Sequence, residues 1–173
     1  MIEHDLKKAF DQHKNAVYRF AWRLTHSPAV AEDITQDVFL TLLRAPKTER
    51  TPQMLRGYLL GIARNLALRY WREEHRWASL EGDASNSGED LLITEPLSAD
   101  SLDASHAVST AISVLPPLQR EVLILSAYEG LSLKEITAIT NTTVTTVKAR
   151  LFRARENMKR MLGPLRVTIR SAQ

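Results

Sequence analysis

Between residues 78 and 105 the chain carries seven carboxylates (Glu81, Asp83, Glu89, Asp90, Glu95, Asp100 and Asp103) and not one Lys or Arg. Ser79, Gly82, Ser85, Asn86, Ser87 and Gly88 are mixed among them. The helical rhythm of apolar residues that runs on either side stops here, so no continuous core can be threaded through the stretch. It reads as a flexible acidic linker. It divides the 173 residues into 1–77 and 106–173, each enough for a compact helical unit with a modest core. The modest net charge of +3 hides this division, which splits it into +4, −7 and +6 along the chain.

Both flanking parts read as helix alone. Leu6, Phe10, Val17, Phe20, Ala21 and Leu24 recur at helical spacing. Ser27-Pro28 then marks a restart, with Ser as cap and Pro in the first helical position. Val30, Ile34, Val38 and Leu42 follow at intervals of four, beside Phe39, up to Ala45-Pro46. Residues 46–53 are polar, hold two prolines and read as a loop. A third helix is expected from about Leu55 to Trp77. Its buried stripe reads as Leu55, Leu59, Ile62, Leu66 and Tyr70, and its polar stripe as Asn65, Arg69, Arg72 and Arg76. Leu60, Leu68 and Trp71 fall on a third side, as spare apolar surface for a partner.

The C-terminal part opens with a helix over Ala107–Leu115 and a second over Leu118–Glu129 that stops at Gly130, a helix-ending residue. Ser132 followed by Glu135 fits a capping box. The short helix it opens, the turn Thr140-Asn141-Thr142 and a last helix over 143–162 form a helix-turn-helix pattern. Val144, Val147, Leu151, Ala154, Met158 and Met161 make the buried stripe of that last helix. The opposite side displays Thr145, Ala149, Phe152, Arg153, Glu156, Lys159 and Arg160, with Lys148 and Arg155 at its edge. Phe152 sits about 130° from the centre of the buried stripe. A solvated charged face has no use for it, whereas a major-groove reader does. An apolar side chain meets a thymine methyl while Arg or Lys takes guanine acceptors.

Other chemistries are poorly supplied. With no cysteine there is no disulfide, thiolate zinc site or iron–sulfur cluster. The five histidines (His4, His13, His26, His75 and His106) include no i,i+4 pair and read as surface or capping groups rather than metal ligands. No Gly-rich phosphate loop or nucleophile–base motif is present, so no enzymatic activity, cofactor or small-molecule substrate is expected. Nothing approaches the 18–20 apolar residues or so of a membrane span, and residues 1–8 lack a signal-peptide core. A soluble cytoplasmic protein is expected.

Four stretches taken together resemble the extracytoplasmic-function sigma factors of the sigma-70 family, small sigma subunits of bacterial RNA polymerase. They are Ala31-Glu32-Asp33-Ile34-Thr35-Gln36-Asp37-Val38-Phe39-Leu40 and Tyr58-Leu59-Leu60-Gly61-Ile62-Ala63-Arg64-Asn65-Leu66-Ala67. Leu115-Pro116 with Arg120 and Glu129-Gly130-Leu131-Ser132-Leu133-Lys134-Glu135-Ile136 is the third. The recognition-helix stretch Thr146-Val147-Lys148-Ala149-Arg150-Leu151-Phe152-Arg153-Ala154-Arg155 is the fourth. The chain departs from the family pattern at Thr145, where Gly is common, at Ala149, where Ser is common, and at Arg69, where Asp is common. Asn141 replaces a frequent turn Gly and tolerates its left-handed conformation. Thr140 and Thr142 replace apolar residues, which points to a looser turn.

The resemblance implies a transcription initiation factor that binds core RNA polymerase and promoter DNA, with an anti-sigma factor as a further partner. Residues 1–77 (sigma region 2) would read and melt the minus-ten element through Lys47, Arg50, Asn65, Arg69, Trp71, Arg72 and Arg76, with Trp77 closing the core. Residues 106–173 (sigma region 4) would read the minus-thirty-five element. Thr145, Lys148, Ala149, Phe152 and Arg153 lie near bases there, and Arg120 and Arg150 lie near phosphates. Asp33, Gln36, Asp37 and Phe39 would meet the polymerase, Phe39 as an anchor or as core. The acidic linker would thread the polymerase's RNA exit path. The alternative is a stand-alone helix-turn-helix regulator that never binds polymerase.

Overall fold

The computed structural model describes residues 3–46, 48–74 and 104–163. All seven elements among them are helices: α1 (Glu3–Thr25), α2 (Pro28–Arg44), α3 (Pro52–Glu74), α4 (Ala104–Val114), α5 (Pro117–Ala127), α6 (Leu133–Thr140) and α7 (Val144–Leu162). Lys47, Arg76, Trp77 and nearly all of the acidic stretch lie outside the described residues.

The expected helix ends form by the expected chemistry. The Ser27 hydroxyl accepts from the Val30 amide ahead of Pro28, satisfying one orphan N–H of the first turn. Ser132 and Glu135 complete a reciprocal capping box at α6. Gly130, at φ +64°, turns the chain after α5. The loop is shorter than residues 46–53. Thr51 accepts from the Met54 amide and Pro52 becomes the first residue of α3, since a proline there forfeits no hydrogen bond.

In the first half α1 packs across α2 and α3. The core stripe of α3 differs from its sequence reading. Leu59, Leu60, Ala63, Ala67 and Leu68 are buried, while Leu55, Ile62, Leu66 and Tyr70 are half-buried. Leu60 and Leu68 are therefore core, not spare surface. Two small alanines between them let α1 and α2 approach, which moves the buried centre away from the bulkiest residues. Phe39 also belongs to the core. It is 7% exposed and meets Phe10 edge to face, with centroids 4.9 Å apart. It is thus no free anchor for a partner.

In the second half α4, α5 and α6 all pack on α7. Val144, the first residue of α7, is exposed rather than buried. Asn157 takes a core position and donates to Gln119 across the α5–α7 contact at 2.8 Å.

The two halves pack on one another, α1 against α4 and α5, and α3 against α6. Arg120 sits where they meet. It is 8% exposed. Its guanidinium donates to the Leu24 carbonyl at 2.5 Å, the Ser113 carbonyl at 2.6 Å and the Leu115 carbonyl at 2.9 Å. One cation thereby covers the C-terminal ends of both α1 and α4, where unpaired carbonyls and the helix dipoles favour positive charge. Arg120 is accordingly not on the surface as a phosphate contact.

Two histidines share the seam. His26, at φ +53°, and His13 each have a buried ring nitrogen without a hydrogen-bond partner. Burial holds both below the ordinary histidine value of 6.5, and the cations Arg120 and Arg56 respectively add to the effect. For His26 the backbone of Ser109 opposes the shift in part. A lowered folded-state pKa means that the neutral form is favoured by folding, so no stability is lost above pH 6.5 and stability falls as pH drops below it. Thermal melts at pH 7.5 and 5.5 should show this loss. His26→Asn, which accepts the left-handed backbone, should reduce it. An equal loss in the variant would assign the acid sensitivity to other groups.

Candidate nucleic-acid interface

The turn before α7 is tight despite its two threonines. Asn141 adopts the left-handed conformation at φ 50°, ψ 49°. Thr140 is buried and returns its hydroxyl to the Ile136 carbonyl at 2.8 Å, so the expected looseness is absent. Thr143 then caps α7 by accepting from the Thr146 amide at 3.2 Å.

This fixes which side of α7 faces outward. Thr145, Lys148, Phe152, Arg153 and Arg155 are exposed, and Ala149 is half-buried. Phe152 is 66% exposed, a large apolar side chain held in water between cations. Beside it lies an open groove of about 580 Å³, floored by Leu131, Leu133 and Leu151 and rimmed by Lys148, Arg155 and Lys159. Arg150 stands apart from this outward face. Its side chain is 12% exposed and lies 4.0 Å from the Glu121 carboxylate.

On α3, Asn65, Arg69 and Arg72 are exposed, and spacings of four and three align them. Arg69 is tethered to Glu73 at 3.2 Å. Trp71, one residue before Arg72, is half-buried. Arg50 in the preceding loop lies over the Tyr58 ring at 4.1 Å from its centroid, a cation–π contact that orients the guanidinium.

Asp33, Gln36 and Asp37 are exposed on α2. With them, at the same helical interval, stand Leu40 at 46% and Leu43 at 54% exposure. The sequence reading overlooked these two leucines. They fall outside the Val30–Ile34–Val38–Leu42 stripe, and that offset was the available signal. It also overlooked Arg56, Arg64, Glu121 and Glu129, whose partners lie far off in the chain. Glu135, which caps α6, is held below the usual carboxylate range, chiefly by the backbone and hydroxyl of Ser132 and then by Gln53. Among the described residues no three His, Asp or Glu side chains gather as for a metal ion, and no helix is long and apolar enough to cross a membrane.

Comparison with known families agrees with this layout. A family model of sigma-70 region 2 matches residues 9–77, and one of sigma-70 region 4 matches residues 105–158. The chain belongs to the sigma-70 family. Several of its relatives are extracytoplasmic-function (ECF) sigma factors. This sigma factor is 31% identical over 154 residues to the ECF RNA polymerase sigma factor SigE of Mycolicibacterium smegmatis, spanning 88% of this chain but 59% of that relative. It is 29% identical to the RNA polymerase sigma factor CarQ of Myxococcus xanthus, over 92% of this chain and 90% of CarQ. It is also 29% identical to SigW of Bacillus subtilis, over 90% and 87%. The sigma factor RpoE of Bartonella quintana, solved in complex with the anti-sigma factor NepR, has the same fold. The TM-score is 0.69 at 25% identity, covering 92% of this chain and 97% of that one.

Proposed function

We propose that this sigma factor binds core RNA polymerase in the cytoplasm and directs it to promoters. It is not itself an enzyme, since the polymerase supplies catalysis. The observation that carries the reading is the pairing of two outward basic faces, one on each matched region. They are the Asn65–Arg69–Arg72 stripe of α3 and the Lys148–Phe152–Arg153 face of α7.

In this reading residues 1–77 form the minus-ten domain, 106–173 the minus-thirty-five domain, and 78–105 the acidic connection between them. The α3 stripe, with Lys47, Arg50 and Arg76, meets phosphates and freed bases, and Trp71 offers a face for stacking. Lys148, Phe152 and Arg153 approach base edges, with Thr145 and Ala149 beside them. Arg150, for which the motif implies a phosphate contact, lies against Glu121 instead and is not counted among these contacts. Asp33, Gln36 and Asp37, joined by Leu40 and Leu43, dock on the polymerase. By likeness to the Bartonella protein, an anti-sigma factor is the regulatory partner.

The test is transcription in vitro with core polymerase on a randomised promoter library. Selective transcription from a minus-ten and minus-thirty-five pair is expected. DNA binding without co-purification of polymerase would favour the stand-alone regulator instead. Arg72→Ala should lower the yield of open complex while sparing binding to the upstream duplex. An undiminished open-complex yield would remove Arg72 from the melting face.

A further inference from the structure

A row of ion pairs crosses the seam between the halves. Gln53, Arg56 and Arg64 of α3 bond Glu135, Glu129 and Glu121 at 2.5, 2.7 and 2.6 Å. The order is antiparallel, with rising numbers on α3 matched by falling numbers on the other side. Arg23 of α1 adds a 3.9 Å contact to Glu129 and lies over Tyr128, 4.1 Å from its ring centroid. In these ion pairs region 2 contributes the cations and region 4 the carboxylates.

One pair is built differently from the rest. Arg64 meets Glu121 as a fork, Nε to Oε2 at 2.6 Å and Nη2 to Oε1 at 3.0 Å. The Glu121 side chain has no exposed surface. This two-point geometry fits a phosphate as well as a carboxylate. The same guanidinium donates from Nη1 to Asn65 Oδ1 at 3.2 Å, so Arg64 borders the exposed stripe of α3.

The closed form is too small for the task proposed above. Elements centred near minus ten and minus thirty-five are about 25 base pairs, or about 85 Å, apart at 3.4 Å per step. A compact chain of this length has a radius of gyration of about 16 Å and a width of about 40 Å. The stretch between Glu74 and Ala104 extends to at most about 100 Å. The two halves must therefore separate for both elements to be read. Separation leaves Glu121 beside Arg150 of its own half and releases Arg64.

We propose that Glu121 stands in for a nucleic-acid phosphate. In the closed form it occupies Arg64 and holds the halves together, and on opening Arg64 joins the minus-ten face as a phosphate contact. This rests on the promoter-reading function above. Glu129, on Arg56 and Arg23, is the second clasp of the same latch.

The test uses the full chain. Small-angle scattering should give a compact wild type and a larger radius for Glu121→Gln, which keeps the shape of the side chain and loses its charge. Glu121→Gln should bind a fluorescent 20-nucleotide single-stranded DNA of mixed sequence at least about fivefold more tightly than wild type. Arg64→Gln in that background should abolish the gain. A gain that survives the loss of Arg64 overturns its phosphate role. An unchanged radius with an unchanged melting curve overturns the latch, and so does a wild type that is already extended.

A second variant guards against misfolding. Gln53→Cys with Lys134→Cys, in a chain with no other cysteine, is joined by a reducible bismaleimide. The joined form should bind this DNA poorly and recover on reduction; full binding while joined overturns the proposal. Scattering reads the latch without polymerase, so an expanding Glu121→Gln variant that transcribes nothing faults the promoter reading and not the latch.

Discussion

Arg120→Met should destabilise the folded chain by about 3–5 kcal/mol, the scale for deleting the charged partner of a buried polar cluster. For a chain of this size that lowers the melting temperature by about 6–20 °C. The substitution keeps the aliphatic stem and removes the guanidinium. The carbonyls of Leu24, Ser113 and Leu115 then lose its donors at the ends of two helices. Each buried carbonyl left unpaired costs about 1–3 kcal/mol, and the three costs overlap because one group serves them all. Burial lowers the Arg120 pKa to about 10, so the group is still a cation at neutral pH. The measurement is a thermal melt beside a DNA titration. A variant with an unchanged melt and weaker DNA binding would return Arg120 to the phosphate role that its place in the motif implies.

Arg153→Ala should weaken binding to the preferred upstream duplex by about 1–3 kcal/mol and relax preference at one base pair. The melting temperature should hold, because Arg153 is exposed. A uniform loss across all sequences, with a shallower salt dependence, would mark a phosphate contact instead. Phe152→Ala is the companion. At 66% exposure it gives up little packing, so a loss of affinity confined to sites with a thymine at one position would show a methyl contact.

Much of the candidate site was legible because it depends on one helix at a time. The phase of α7 placed Phe152, Arg153 and Lys148 outward, and the phase of α3 did the same for Asn65, Arg69 and Arg72. α3 also shows where phase alone misleads. It is amphipathic in more than one direction, since α1, α2 and the second half all draw on it. Spacing cannot say which apolar stripe faces which neighbour, and Leu60 and Leu68 were misplaced for that reason.

What the amino-acid sequence by itself determined is local. It set seven helices, the caps at Ser27 and Ser132, the left-handed turn at Asn141 and the outward faces of two basic helices. These follow from interactions within a few residues along the chain. Tertiary structure alone decided the roles of Arg120 and Arg64. The Leu24 carbonyl lies 96 positions from Arg120, and Glu121 lies 57 from Arg64. A cation at the surface and a cation closing a seam look alike in a sequence. They differ only in what the fold brings within hydrogen-bond reach, and there the cost of burying a charge demands a partner.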